Sequence, residues 1–149
     1  MAARFRAALP DVGVQVTESI QAAVRTFDVL ITATLAREPL VRGEWLQPGQ
    51  HVTAVGADDP SKCELDVEAL RRARVFVDQR ASSLENGDVA RAVLAGAKPN
   101  ELIEAEIGEV LSGRALGRRS PEDITLAKFV GIGAQDLLAA ERVLELLGL

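Results

Sequence analysis

Tyrosine is absent, aromatic residues make up only 3% of the chain, and cysteine, histidine, methionine and tryptophan occur once each. Each scarcity excludes something. With Cys63 alone, no intramolecular disulfide can form, and a reducing compartment is the expectation. One histidine and no cysteine pair give too few soft ligands for a zinc site, so no metal is expected. Few flat side chains leave little on which bases could stack, and a net charge of −5 lacks the basic surface that phosphate backbones require. A nucleic-acid partner is therefore not expected. No apolar run approaches the ~20 residues of a membrane span. Met1-Ala2-Ala3-Arg4-Phe5-Arg6 reads as part of a helix rather than a signal peptide, so the cytoplasm is the expected location.

What is present is a chain of 149 residues, 48% hydrophobic, enough for one ordinary domain or part of a larger one. Its core must be Ala, Val, Leu and Ile, which suits close packing of helices on a sheet. The periodicity predicts a short amphipathic helix over 2–9 and a half-exposed strand from Val12 to Thr17. A helix from Glu18 to Thr26 follows, capped by Thr17 or Ser19. Asp28 to Thr34 is apolar enough for a strand covered on both faces, as in parallel sheets. Then come a strand ending at Gly56, a helix over 66–73 and a strand from Arg74 to Asp78. Right-handed crossovers would make this half of a doubly wound α/β sheet. Beyond Gln79, helical pieces are predicted over 81–95 and 99–111, a helix start at Ser120-Pro121-Glu122-Asp123, a strand from Ile124 to Val130 and a last helix from Ala134 to Leu147.

The densest chemistry lies between His51 and Asp66, HVTAVGADDPSKCELD. A β-type run ends in Gly56, two acids (Asp58 and Asp59) follow at once, and Pro60 stiffens the turn. Open α/β sheets bind ligands just outside their strand ends, so a small residue and an acid delivered there form a candidate site. An ordinary polar loop has the same composition. The chain carries no G-x-G-x-x-G: Gly131-Ile132-Gly133 lacks the third glycine and sits far from the first βα turn. If the sheet binds a dinucleotide, the phosphate-binding turn must lie on residues absent from this sequence. Because Ala2 to Leu9 reads as a helix already in progress, the chain is expected to be the later part of a longer protein.

Several segments resemble the ornithine cyclodeaminase/mu-crystallin family. They are Asp28 to Thr34 with Arg37-Glu38-Pro39, Gln47-Pro48-Gly49-Gln50-His51-Val52, and Ala54-Val55-Gly56-Ala57-Asp58 with Pro60, Lys62, Glu64, Leu65 and Asp66. Arg74 to Asp78, Ile107-Gly108-Glu109-Val110 and Gly131 to Asp136 follow in the family's order. The block around Asp58 is the most specific. The resemblance implies a Rossmann-like, mostly parallel sheet, here partial, with carboxyl-terminal helices. It divides the chain into a βα core over about 1–80 and, over 81–149, helical segments returning to the sheet and to an absent substrate domain.

The resemblance further implies an enzyme that oxidises, cyclises or reduces a small amino or imino acid with NAD or NADP, as a homodimer in its intact form. Asp58 takes the catalytic acid/base role. Thr32, Thr34, Ala54, Val55, Gly56 and Ala57 line the cofactor, with the nicotinamide near Gly56, and Val130 and Gly131 lie beside substrate. Lys62 is read either beside the cofactor or as a solvated loop residue. Asp59 is read as a solvated acid, His51 as packed or hydrogen-bonded, and Cys63 as a bystander. Two positions depart from the family pattern: Ser61, where glycine usually follows the proline, and Phe129, where a small hydroxyl residue is usual. The alternatives to an enzyme are a ligand-binding module without turnover and an inactive fragment.

Overall fold

Short apolar runs separated by capped helices fold into a five-stranded, all-parallel sheet in the computed structural model, which describes residues 2–57 and 59–148. The strands are β1 (Val29–Thr32), β2 (His51–Ala54), β3 (Arg74–Val77), β4 (Ile103–Glu106) and β5 (Thr125–Lys128). The helices are α1 (Ala2–Ala8), α2 (Ile20–Thr26), α3 (Val67–Arg72), α4 (Arg80–Glu85), α5 (Gly87–Leu94), α6 (Pro99–Leu102), α7 (Ile107–Leu111) and α8 (Gly133–Leu147). The spatial order is β1-β2-β5-β3-β4. The last strand thus returns to the middle, and all four of its residues are buried. This is the expected Rossmann-like α/β class.

Local chemistry sets the element ends. The Ser19 hydroxyl accepts from the Ala22 amide and starts α2. Asp66 caps α3 through the Ala69 amide at 2.8 Å and also accepts from Gly43, tying a 3₁₀ turn (Gly43–Trp45) to that helix. The core is aliphatic, as the composition requires, with Leu46, Val52, Leu65, Leu70, Val75 and Leu126 almost wholly enclosed. The 3₁₀ turn contacts α2 and α3, and α3 contacts α5 and α6, making one connected helical layer.

Four expectations are corrected. Residues 12–17 form no strand, because no neighbouring strand pairs with them and an unpaired strand cannot satisfy its ladder. β1 is covered on one face among the described residues: Leu30 and Thr32 are buried while Val29 and Ile31 are 59% and 72% exposed. The stretch 99–111 is not one helix, because Ile103–Glu106 pairs with β3 as an edge strand, burying Ile103 and Ala105. Ser120–Asp123 starts no helix; the Asp123 carboxylate accepts from the Arg119 and Ser120 amides and closes a turn instead. Among the described residues, no helix is long and apolar enough to cross a membrane.

His51 lies at the amino end of the sheet. Arg118 donates to the Thr125 hydroxyl at 3.0 Å, leaving that hydroxyl free to donate to His51 Nδ1 at 2.8 Å. The opposite ring nitrogen then donates to the Thr53 hydroxyl at 3.1 Å. This chain of donors fits a neutral imidazole. Burial first, and the Arg118 guanidinium second, hold its pKa below the ordinary 6.5. A folded state that binds this proton more weakly than the unfolded chain is at full stability above about pH 6.5 and loses stability as pH falls. The denaturation midpoint is expected to drop between about pH 7 and about pH 5, and His51→Gln to show a smaller drop over that window. Urea titrations of both proteins across the window measure the difference.

Candidate functional site

The carboxyl ends of β1, β2, β5 and β3 lie side by side, and three buried acids gather the loops that leave them. Glu64 is fully buried. Its Oε2 accepts from the Thr32 hydroxyl at 2.8 Å and the Gly56 amide at 3.0 Å. Its Oε1 accepts from the Thr34 amide at 2.7 Å and the Thr34 hydroxyl at 2.8 Å. Four donors on two oxygens describe a carboxylate acting purely as acceptor, and they lock the loop after β1 to the loop after β2. The Glu64 carbonyl accepts from the Leu40 and Val41 amides, so its backbone joins the same clamp.

Two glycines allow the loops to come this close. A Cβ on Gly56 would stand 2.3 Å from both the amide nitrogen and the carbonyl oxygen of Thr34. Gly87 has φ +66°, and a Cβ there would stand 2.2 Å from the Ala57 carbonyl oxygen. The Gly87 amide donates to the Asp59 carbonyl at 3.2 Å. Both residues flanking position 58 are therefore held against the first residue of α5.

Asp88 and Asp78 repeat the device. Asp88 Oδ1 accepts from the Glu64 amide at 2.6 Å and the Leu65 amide at 2.9 Å. Its Oδ2 makes no hydrogen bond among the described residues and lies 3.4 Å from the ammonium of Lys128; both side chains are fully buried. Asp78, just past β3, accepts from the Val130 amide at 2.9 Å and the Gly131 amide at 2.7 Å through Oδ2, and from the Gln79 amide through Oδ1.

The anticipated residues fall around this frame. Asp58 lies outside the described residues. Thr32 ends β1 and Thr34 follows it, and both hydroxyls turn to Glu64 rather than outward. Ala54 and Ala57 are buried, Gly56 is half-buried and the Val55 side chain is 45% exposed. Val130 and Gly131 start from the strand next to β2, with their amides committed to Asp78. Lys62 stands 3.5 Å from Asp59. Asp59 accepts from the Ser61 hydroxyl at 2.6 Å and the Ser61 amide at 2.7 Å, contacts that hold its carboxyl below the usual range. Ser61, a departure from the family pattern, thus closes the turn. Burial, then nearby Asp88, pushes the Cys63 thiol up to about 11. A thiol with that value is inert at neutral pH.

Glu64, Asp78, Asp88 and Lys128 received no role from the sequence. The available signal was a charged residue set at the end of or within an apolar run, present for Asp78 after Val75-Phe76-Val77 and for Lys128 between Ala127 and Phe129, and absent for Glu64 and Asp88. Two adjacent, rigid loops with an exposed Val55 and an exposed Gly131 between them form a rim on which a flat, partly apolar group could rest.

The model of the family described as Ornithine cyclodeaminase/mu-crystallin family matches residues 1–147. The ketimine reductase mu-crystallin of Mus musculus is 45% identical over 131 residues, 87% of this chain and 39% of that protein. The Δ1-pyrroline-2-carboxylate reductase of Thermococcus litoralis, solved with NADH and L-proline, superposes with a TM-score of 0.88 at 32% identity, covering 94% of this chain and 43% of that one. An archaeal alanine dehydrogenase dimer with bound NAD gives a TM-score of 0.86 at 39% identity, covering 97% and 45%. The chain therefore spans about two-fifths of the length of these relatives.

Glu64→Gln substitutes a donor where an amide already points and leaves at least one buried N–H without an acceptor. The protein is expected to lose about 2 kcal/mol, and Gly56→Ala to lose more, because the Thr34 backbone must move. Equilibrium urea denaturation of the two variants against the parent measures both losses.

Proposed function

Because this chain belongs to the ornithine cyclodeaminase/mu-crystallin family, we propose that the protein carrying it transfers hydride between a nicotinamide dinucleotide, NAD or NADP, and a small amino or imino acid. The observation that carries the reading is the pair of pinned loops at neighbouring strand ends, one holding both flanks of position 58 and the other holding Val130 and Gly131. Relatives solved with NADH and L-proline, or with NAD, support it. Residues 1–149 form part of the cofactor domain, with about 1–80 as its βα core. The phosphate-binding turn and the substrate domain belong to the rest of the parent.

The residues present suit this cofactor. The backbone from Ala54 to Ala57 lies directly against Thr34 at the carboxyl end of the sheet, an approach that Gly56 permits by carrying no side chain on that side. When bound, the nicotinamide accepts or supplies the hydride. Asp58 moves the proton: it takes one from the substrate amine as the Cα–H departs as hydride, and returns it to the imine nitrogen in the reducing direction. Val130 and Gly131 flank the substrate. Lys62, paired with Asp59, sits on the loop beside the cofactor. The intact protein works as a homodimer, a reading supported by the archaeal alanine dehydrogenase solved as a dimer.

In the full-length protein, NADH is expected to quench intrinsic fluorescence saturably and to drive reduction of a cyclic imino acid. Asp58→Asn is expected to keep NADH affinity within a few-fold while lowering kcat by about 100-fold or more. Absence of nicotinamide binding would end the proposal. Full turnover by Asp58→Asn would remove Asp58 from the chemistry.

A further inference from the structure

Lys128 closes the central strand, is fully enclosed, and has no part in the proton or hydride steps above. Its ammonium is 3.2 Å from the Phe129 carbonyl oxygen and 3.4 Å from the Ala54 carbonyl oxygen. The first carbonyl opens the loop that carries Val130 and Gly131. The second ends the strand that leads into Val55, Gly56 and Ala57. The third neighbour is Asp88 Oδ2 at 3.4 Å, and that oxygen has no hydrogen-bond partner among the described residues. The other oxygen of Asp88 holds the Glu64 amide, and Glu64 holds Gly56 and Thr34. One buried charge therefore touches the first residue of one loop and the strand end that feeds the other, and it reaches that other loop through two acids.

A buried ion pair seldom stabilises a fold more than an apolar pair of the same volume, because both charges must leave water. The pair here sits where β2 and β5 end side by side, beside the bond that the Phe129 amide donates to the Ala54 carbonyl at 2.9 Å, and two of the three ammonium contacts end on strand-end or loop backbone, the third on Asp88. We propose that Lys128 is a positioning residue: its ammonium couples the backbone at Val55, Gly56 and Ala57 to the loop that carries Val130 and Gly131, so that the groups on either side of the reacting atoms share one fixed spacing. The proposal rests on the reading that a nicotinamide and its substrate lie between those loops.

The test uses the full-length protein and the double variant Lys128→Met with Asp88→Asn. Removing both charges leaves no uncompensated ion, and the amide oxygen introduced at position 88 can still accept from the Glu64 and Leu65 amides. Amide hydrogen exchange is expected to quicken by about tenfold or more at Gly56 and Ala57 and at Val130 and Gly131 together, with α3 unchanged. With C4-deuterated NADH, kcat is expected to fall about tenfold and the hydride isotope effect to rise, while the KM for NADH changes less. Lys128→Arg keeps the charge but moves the donors. It is expected to shift exchange in both loops by a smaller factor, and it supplies the reading should the double variant fail to fold. Unchanged exchange, or exchange altered in one loop alone, overturns the coupling. Loosened loops with an unaltered isotope effect overturn its importance for the reaction. A wild-type protein that never binds NADH defeats the proposed function instead, and the exchange comparison then still decides whether Lys128 joins the loops.

Discussion

The site depends on buried carboxylates that accept backbone amides. Parallel strands that end together release several loops at one edge, and each loop begins with N–H groups that leave the ladder partly enclosed. Such donors cannot remain unpaired without a cost comparable to a lost hydrogen bond. Glu64, Asp78 and Asp88 between them take seven backbone amides at this edge and its approaches. A carboxylate has about four lone-pair positions and no donor, so one small group can collect amides from two chains converging on it. Burying an acid is unfavourable unless its lone pairs are used, and here they are, with one exception at Asp88 that faces Lys128. The interaction that makes these acids tolerable inside the protein is the same one that fixes the loops. Rigidity at the rim is a consequence of charge burial.

That arrangement imposes its own requirement on the sequence. Loops drawn to a common acceptor must approach within van der Waals contact, and two of the contact points admit no side chain, Gly56 against Thr34 and Gly87 against Ala57. Gly87 serves two purposes, since its positive φ lets α5 begin where Asp88 can turn back to Glu64. Thr32 and Thr34 fit the same logic. Their hydroxyls satisfy Glu64 instead of reaching outward.

Much of the fold was legible because strand and helix signals are local. β1, β2, β3 and β5, and a cap at Thr17 or Ser19, which the structure gives to Ser19, follow from alternation, apolar runs and short polar side chains. Val12 to Thr17 misleads because alternation reports a face but not a partner, and no strand lies beside it. Ile103 to Glu106 misleads because apolar residues four apart also suit one face of a helix; pairing with β3 decides. In the site, the Gly56-to-Asp59 pattern marks the loop, but nothing nearby marks its supports. Thr32 and Glu64 are 32 residues apart, Glu64 and Asp88 24, Asp78 and Val130 52. Periodicity carries no information across such distances. Only the strand order brings these pairs together.

The same order explains how half a cleft can be well formed while much apolar surface stays open. Val29, Ile31 and Leu35 are exposed, and no described residue of α8 is buried. A surface of that kind calls for cover. None of the clamp lies on it. Glu64, Asp78, Asp88 and Lys128 draw their partners from β1, β2, β5, α5 and the loops between the elements. Whatever covers the open face therefore meets a rim whose backbone is already fixed. Binding against a preorganised rim avoids the cost of ordering it. The division of labour follows: these residues set the position of the loops, and surfaces outside the clamp are free to choose what is brought to them.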